Sequence, residues 1–492
     1  GVVYAEPNWR RQLLSVPNDP LFAQQWALQN LGQEAFGVRG FPFADERATA
    51  AWDTATGSAG VQVAVVDTGM ALSHPDLDAN LWSNPGEVPG NGVDDDRNGF
   101  VDDVHGWDFA DNDRDPSDTV ERDRGHGTHV AGIIGAEGAN ATGVAGVAWD
   151  VSLMPLRAPL SVAGEVAAFN YAKNNGARVV NYSAGSSLYS ASEQAAIVNA
   201  PGVLFVAAAG NERSNLDANP VYPCAYPAAN VVCVASSNQF DGLSFFSDFG
   251  PTSVDLVAPG EHILSTFAAG GSADVLRDSF SQRPLAERWK AGGRGHPWRL
   301  TRHLHRGLSL ADTPKGRYEN RSNSWIRSRA IDLSSWRNCA LSFFLEVKTQ
   351  QGRDRLMVEA SADARHWRRM RRYSGVRRGS RFLFLPKRFG GDAAVYVRFR
   401  LKSDGTVRRD GAFVDNVALN CAASTDTYAY MDGTSFSAPQ VAGAAALVLA
   451  KHPAFTTGEV RSALLGGVDQ LGPLYGKVAT AGRLNIAAAV AG

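Results

Sequence analysis

Four polar side chains lie in small-residue contexts of the kind that reactive groups need. Ser435 stands in Gly433-Thr434-Ser435-Phe436-Ser437-Ala438-Pro439, directly ahead of an apolar run at 440–449 that reads as a buried helix. The free N–H groups and positive dipole end at such a place stabilise developing negative charge. A serine hydroxyl alone is a weak nucleophile, and an isolated serine before a helix usually serves as its N-cap. It reacts only with a base beside it and a third group orienting that base. The chain offers Asp67 in Val66-Asp67-Thr68-Gly69, His126 in Gly125-His126-Gly127-Thr128-His129, and Asn211 in Ala209-Gly210-Asn211. Together these are the parts of a proton relay with a neutral amide donor for an oxyanion.

Something must bring these distant positions together. Apolar runs at 61–67, 151–156, 178–183, 203–209, 230–235 and 255–258 alternate with helix-like stretches at 126–135, 164–174 and 192–199. Buried strands alternating with helices predict an α/β fold, a mostly parallel sheet covered by helices on both faces. Functional residues of such sheets gather at the carboxyl ends of strands, and Asp67 and Asn211 both follow a strand. The chain closes with helical segments at 459–465 and 484–490.

Between 270 and 425 the pattern changes. Arginine dominates, and apolar and polar residues alternate at 341–347, 355–360, 381–385 and 395–401, which predicts an inserted all-β sandwich. Residues 272–424 hold 32 Lys+Arg against 14 Asp+Glu, a net of +18, leaving the remainder at −20 within an overall −2. So large a split predicts separate domains that attract one another. The expected division is an N-terminal extension at 1–14, a first α/β part at 15–270, the insertion at 271–425, and a second α/β part at 426–492 carrying Ser435. The four cysteines form two local pairs, Cys224 with Cys233 and Cys339 with Cys421, which suits two disulfides and an oxidising compartment. No apolar run is long enough to span a membrane.

The four motifs, in the order Asp, His, Asn, Ser, resemble those of the subtilisin-like serine proteases. The resemblance covers roughly residues 15–270 and 426–492 and rests on Asp67-Thr68-Gly69, His126-Gly127-Thr128-His129-Val130-Ala131-Gly132, Ala209-Gly210-Asn211 and Gly433–Pro439. It implies a secreted endopeptidase in which Ser435 attacks the carbonyl, His126 carries its proton, Asp67 orients the imidazole, and Asn211 with the Ser435 N–H holds the oxyanion. His129, one turn on, reads as a packed helix histidine. The same resemblance makes Ser183, Ala184, Gly185, Ala208, Ala209 and Gly210 the walls of a specificity pocket open to a bulky apolar residue. Ala184 stands where the family usually has something larger, and the stretch at 158–164 is shorter than the usual substrate-pairing edge strand. An inactive relative, acting as a binding or adhesion protein through the basic insertion, is the competing expectation.

Calcium is the expected cofactor, at three places. The first joins Asp19, Asp76 and Asn140 with the carbonyls of Glu137, Thr142 and Val144, by residue-by-residue resemblance. The second is an EF-hand-like loop, with Asp94, Asp96, Asn98, the Phe100 carbonyl and Asp102 or Asp103 as ligands, although His105 stands where such a loop has its bidentate Glu. The third is Asp108, Asp111 and Asp113, which exposed Asp/Asn turns also resemble. The insertion, through 325–333 and Asp410–Val417, resembles MAM-like or immune-inhibitor-A-like jelly-roll modules. Its Arg-rich stretch at 365–381, with Trp367 and Tyr373, suits a polyanion or carbohydrate, or else a solvated face balancing the acidic part. Val3–Asn8 resembles the tail of a family propeptide, which acts as an intramolecular inhibitor. The remaining expected partners are protein or peptide substrates of a monomer.

Overall fold

The computed structural model describes residues 15–118, 123–280, 285–302, 308–314 and 316–492. The expected propeptide remnant at 1–14 lies outside the described residues. The acidic part forms a nine-stranded sheet in the order Val468–Gln470, Gly482–Leu484, Leu256–Pro259, Val231–Ser237, Leu204–Ala208, Val179–Tyr182, Gly57–Asp67, Asp150–Arg157, Trp107–Asp108. All its pairings are parallel except that between Val468–Gln470 and Gly482–Leu484.

The strand Gly57–Asp67 explains why its sequence reads as a continuous apolar run. Successive side chains point to opposite faces, and both faces are covered. Val63 and Val65 enter one core with residues of the helices His126–Gly135 and Ala438–Lys451. Ala64 and Val66 enter the other with residues of the helices Val162–Asn174 and Ala191–Val198. Ser161 and Ser190 cap those last two helices, accepting from the Gly164 and Glu193 amides. The Cys224–Cys233 disulfide sits in a smaller core beside Ala207, Val254 and Leu474.

The basic part is built of two antiparallel sheets. One runs Arg299–Arg302, Leu308–Ala311, Gly411–Ala423, Trp336–Lys348, Val376–Phe384, with Ser272–Asp278 also pairing onto Gly411–Ala423. The other runs Trp289–Arg294, Asn323–Ser328, Tyr396–Lys402, Arg355–Ser361, Arg368–Tyr373. Leu341, Leu345 and Val347 of the first share one core with Leu356, Val358 and Phe399 of the second, so the expected alternation becomes a sandwich. Cys339–Cys421 bridges neighbouring strands of the first sheet.

A two-stranded ribbon joins the parts, Ile263–Phe267 running antiparallel to Thr427–Met431 from Ile263↔Met431 to Phe267↔Thr427. Beyond it, Gly270 N–H donates to the Ala423 carbonyl and Ala423 N–H to the Gly271 carbonyl, so chain enters and leaves the sandwich side by side.

Candidate active site and acidic loops

Asp67 ends the central strand, where its Oδ1 accepts from Thr68 N–H at 2.7 Å. His126 is the first residue of the helix His126–Gly135, and its Nδ1 meets Asp67 Oδ1 at 2.7 Å. Two glycines make this approach possible. A Cβ on Gly127 would fall 2.2 Å from the Gly69 carbonyl, and one on Gly125, at φ +96°, would strike the Phe267 ring at 2.3 Å. The His126 side chain is 22% exposed, the Asp67 side chain 5%. Burial pulls His126 down, but the charge and hydrogen bond of Asp67 outweigh it and leave the imidazole above its ordinary value.

Ser435 lies in a single 3-10 turn, Thr434–Phe436, and the α-helix proper begins at Ala438. It therefore stands one turn before the helix and does not cap it. Its hydroxyl donates to the Ser183 carbonyl at 3.0 Å, and the Ser183 hydroxyl returns a bond to the Ser435 carbonyl at 2.8 Å. No hydrogen bond joins Ser435 to His126 among the described residues; the hydroxyl is held by the Ser183 carbonyl. Catalytic contacts commonly tighten only with substrate bound. Phe436 holds the neighbourhood by packing against both His126 (5.3 Å) and His129 (4.6 Å).

Asn211 follows the strand Leu204–Ala208. Its Oδ1 accepts from Thr434 N–H (2.9 Å) and the Thr434 hydroxyl (3.1 Å), and that hydroxyl accepts from Gly210 N–H at 3.0 Å. With the oxygen so occupied, the network assigns the NH2 to the side facing Gly433.

His129 is a different kind of histidine. Buried, its Nε2 lies 3.1 and 3.0 Å from the Ile263 and Ala429 carbonyls, one on each strand of the ribbon. Burial pushes it down to about 3, so it stays neutral.

One residue of this site was not foreseen. Asp118 is buried and accepts from the Thr128 hydroxyl (2.7 Å), Gly125 N–H (2.9 Å), Thr128 N–H (3.3 Å) and the Thr68 hydroxyl (3.2 Å). Thr68 in turn accepts from Gly127 N–H at 2.9 Å. Asp118 thus braces the backbone on both sides of His126, and burial raises its carboxyl to about 6. Sequence offered no signal beyond a carboxylate upstream of the histidine.

A cleft of ≈ 420 Å³ runs past the pair, lined by Asp67, Thr68, His126, Arg157, Leu160, Ser183 and Ala184 among others. Of the six expected wall residues, Ser183 and Ala184 line it. Gly185 is exposed, Ala208 and Ala209 are buried in and beyond their strand, and Gly210 at φ +118° packs on Asp248 where a Cβ would be 2.3 Å from its oxygen. The short stretch at 158–164 is a turn leading into a helix, with Leu160 standing 79% exposed.

The three acidic places differ. At the first, Asp19 Oδ2 accepts from Ala139 N–H at 2.8 Å, and Asp76 accepts from Asn140 Nδ2 (2.9 Å) and Val144 N–H (2.9 Å). Asp19 Oδ1 is buried with no partner, and burial raises both carboxyls, Asp76 to about 6. An orphaned carboxylate oxygen beside a second buried carboxylate and the loop 137–144 fits a hard cation with oxygen ligands. At the second, the carboxylates that converge are Glu87, Asp96 and Asp103, with one oxygen of each within 4.8 Å of the others. Asp94 instead caps the Asn98 and Gly99 amides, and Asn98 gives its amide N–H groups to Asp96 and Asp103. Asp102 turns away to Arg114 and to the Asn91 and Gly92 amides, so Asp103 takes the place expected for it. Glu87 comes from outside the loop, beyond the reach of a spacing argument. The third place departs from expectation. The Arg157 guanidinium bonds both Asp108 and Asp111, and Asp113 caps Asp115 N–H, so a fixed cation of the chain answers the carboxylates that had suggested calcium.

A subtilase family model matches residues 58–290 and 412–475, more than half of the chain. The chain belongs to the subtilase family. The stretch between the matched segments lies within the basic sandwich. The chain is 36% identical over 293 residues to a thermophilic serine proteinase of Bacillus sp. (strain AK1), covering 58% of this chain and 61% of that one. It is also 36% identical over 278 residues to thermitase of Thermoactinomyces vulgaris, covering 55% of this chain and 82% of that one. The chain therefore spans about three-fifths of the first relative's length. In structure, the fold is similar to a protease from Pseudoalteromonas arctica (TM-score 0.52, 23% identity, covering 97% of this chain and 99% of that one). No helix among the described residues is long and apolar enough to cross a membrane.

Proposed function

We propose that the chain is a secreted serine endopeptidase, and the 2.7 Å contact between Asp67 and His126 beside Ser435 is the observation that carries the reading. Ser435 Oγ bonds to the scissile carbonyl carbon while its proton passes to His126 Nε2. Asp67 keeps the Nδ1 proton in place and favours the imidazolium that forms. The Asn211 NH2 and Ser435 N–H receive the oxyanion, each such donor contributing about 3–4 kcal/mol. Collapse breaks the C–N bond as His126 returns the proton to the leaving amine, and water then repeats the sequence on the acyl-enzyme. The apolar cleft beside Ala184 favours a bulky apolar residue before the scissile bond.

Calcium would be held by Asp19 and Asp76 with Asn140 and the Glu137, Thr142 and Val144 carbonyls, and by Glu87, Asp96 and Asp103. Bound there it neutralises carboxylates and ties the segment around Asp19 to the loop 137–144. The 1–14 segment acts as the end of an inhibitory propeptide, and the enzyme works as a monomer. The domains divide at 270/271 and 425/426, and the basic insertion contacts a polyanion or a carbohydrate.

Hydrolysis of a peptide library together with labelling by a serine-directed fluorophosphonate tests the reading. Turnover and labelling are expected, both abolished in Ser435→Ala. Labelling that persists in that variant, or no turnover in the parent, would overturn it and leave a binding protein on a subtilase scaffold.

A further inference from the structure

A second concave site shares no lining residue with the cleft beside His126. A groove of ≈ 770 Å³ opens in the sandwich between the strands Arg368–Tyr373 and Val376–Phe384, and Arg355, Arg371, Arg372, Arg377 and Arg381 line it. None of these five has a carboxylate partner among the described residues, whereas the nearby Arg378 pairs with Glu346. Each of the two strands is the outermost of its sheet. Like charges gathered without counter-ions in a concave site raise the local concentration of anions.

The open edge narrows the choice of anion. Leu385 N–H bonds the Cys339 carbonyl and Thr349 N–H the Gly375 carbonyl, so odd-numbered positions of the edge strand face its neighbour and even-numbered ones face outward. The outward carbonyls of Val376 and Ser380 accept from Arg377 and Arg381 at 2.8 Å, and that of Arg378 accepts from Arg381 at 3.3 Å. Three of the acceptors that an added peptide strand would need are taken by the chain's own guanidiniums. Nor does the groove present ring faces in series for bases. Tyr373 is 9% exposed with Arg381 over its ring, and Phe382 meets Phe384 edge to face at 89°. What is left is a cluster of guanidiniums, three of them bonded in part to backbone carbonyls, whose planar donors match sulfate and carboxylate groups.

We infer that this groove is a binding site for a linear sulfated or carboxylated polysaccharide, which would hold the enzyme on an anionic matrix while the cleft works. The inference narrows the polyanion contact proposed above to one site and one ligand class. It does not depend on peptidase activity.

The test uses the full chain and heparin, measuring affinity against salt. Two triple variants remove equal charge: Arg371→Ser/Arg372→Ser/Arg377→Ser in the groove, and Arg299→Ser/Arg317→Ser/Arg408→Ser elsewhere on exposed parts of the sandwich. Heparin is expected to bind the parent, to lose about 30-fold with the groove triple and no more than about 3-fold with the control triple, and to show a shallower salt dependence in the groove triple. Unchanged thermal melting of both variants shows that they fold. Equal losses in the two triples would overturn the groove while sparing a diffuse polyanion contact. No heparin binding by the parent would overturn both. Tighter binding of single-stranded DNA or poly-glutamate than of heparin would overturn the ligand class.

Discussion

The α/β part and the sandwich use charge in opposite ways. In the first, the charges that matter are mostly buried and each is held by fixed partners, as in Asp67 with His126, Asp118 with four donors, and Arg157 with Asp108 and the more exposed Asp111. In the sandwich most arginines stand in solvent, and those of the groove have no acidic partner among the described residues, although buried pairs such as Arg398–Glu359 at 2.6 Å occur there too. A buried, partnered charge fixes geometry and is costly to lose. An exposed, unpartnered one contributes little to folding and much to encounter with an oppositely charged ligand.

That contrast breaks if charge changes in the two parts cost alike. The largest effect is expected from Asp67→Asn, which leaves His126 without its orienting carboxylate and lowers kcat by about 10⁴-fold, read in a peptide assay. Arg157→Ala leaves Asp108, its side chain 2% exposed, without its cation and should cost about 3–5 kcal/mol in urea unfolding. Millimolar calcium should recover part of this, since removing the guanidinium leaves paired carboxylates like those of Asp19 and Asp76. For the parent, chelation with EDTA should lower stability by about 3–4 kcal/mol, as expected for loss of a ligand present far above its dissociation constant. An unchanged Tm would argue against structural calcium.

A smaller effect falls on the pH profile. In the proposed reaction His126 must be neutral to accept the serine proton, and Asp67 holds its pKa above the ordinary imidazole value of about 6.5. The rate constant kcat/KM therefore falls as pH drops through that raised pKa. Asp118 is one of the charges raising it, so Asp118→Asn should move the acid limb to lower pH. An unmoved limb with lower kcat would make Asp118 a brace for the backbone alone. The smallest effect is the groove triple, which should change folding stability by less than about 0.5 kcal/mol.

How far the chain could be read depended on whether partners were neighbours in sequence or recognisable by motif. The motifs around Asp67, His126, Asn211 and Ser435 stood out in the sequence because small residues crowd around each, and Gly127 shows why, since no Cβ fits against the Gly69 carbonyl. The central strands were legible because burial on both faces leaves only apolar residues. Both disulfides join cysteines of the same part of the chain, 9 residues apart in one and 82 in the other. Glu87, Asp118 and Arg157 were not legible, because each acts on residues brought close only by the fold. The Asp108–Asp113 turn shows the limit plainly, as the same acidic spacing serves a metal or a guanidinium depending on what the adjacent strand delivers. The ribbon was missed too, its strands being 160 residues apart in sequence and too short to stand out.

That ribbon has a consequence for how the molecule is assembled. Because Gly270 and Gly271 exchange hydrogen bonds with Ala423, the two chains that enter and leave the sandwich already lie at strand spacing, while Arg329 with Glu34 and Arg277 with Asp432 pair across the same junction. Cutting out what lies between and closing the gap with a tight turn would leave an ordinary β-hairpin, still presenting the Ile263 and Ala429 carbonyls to His129. Removing the sandwich would uncover Phe267, which packs on Trp336, and free Glu34 of Arg329, but would leave unbroken the sheet that carries Asp67 and Asn211.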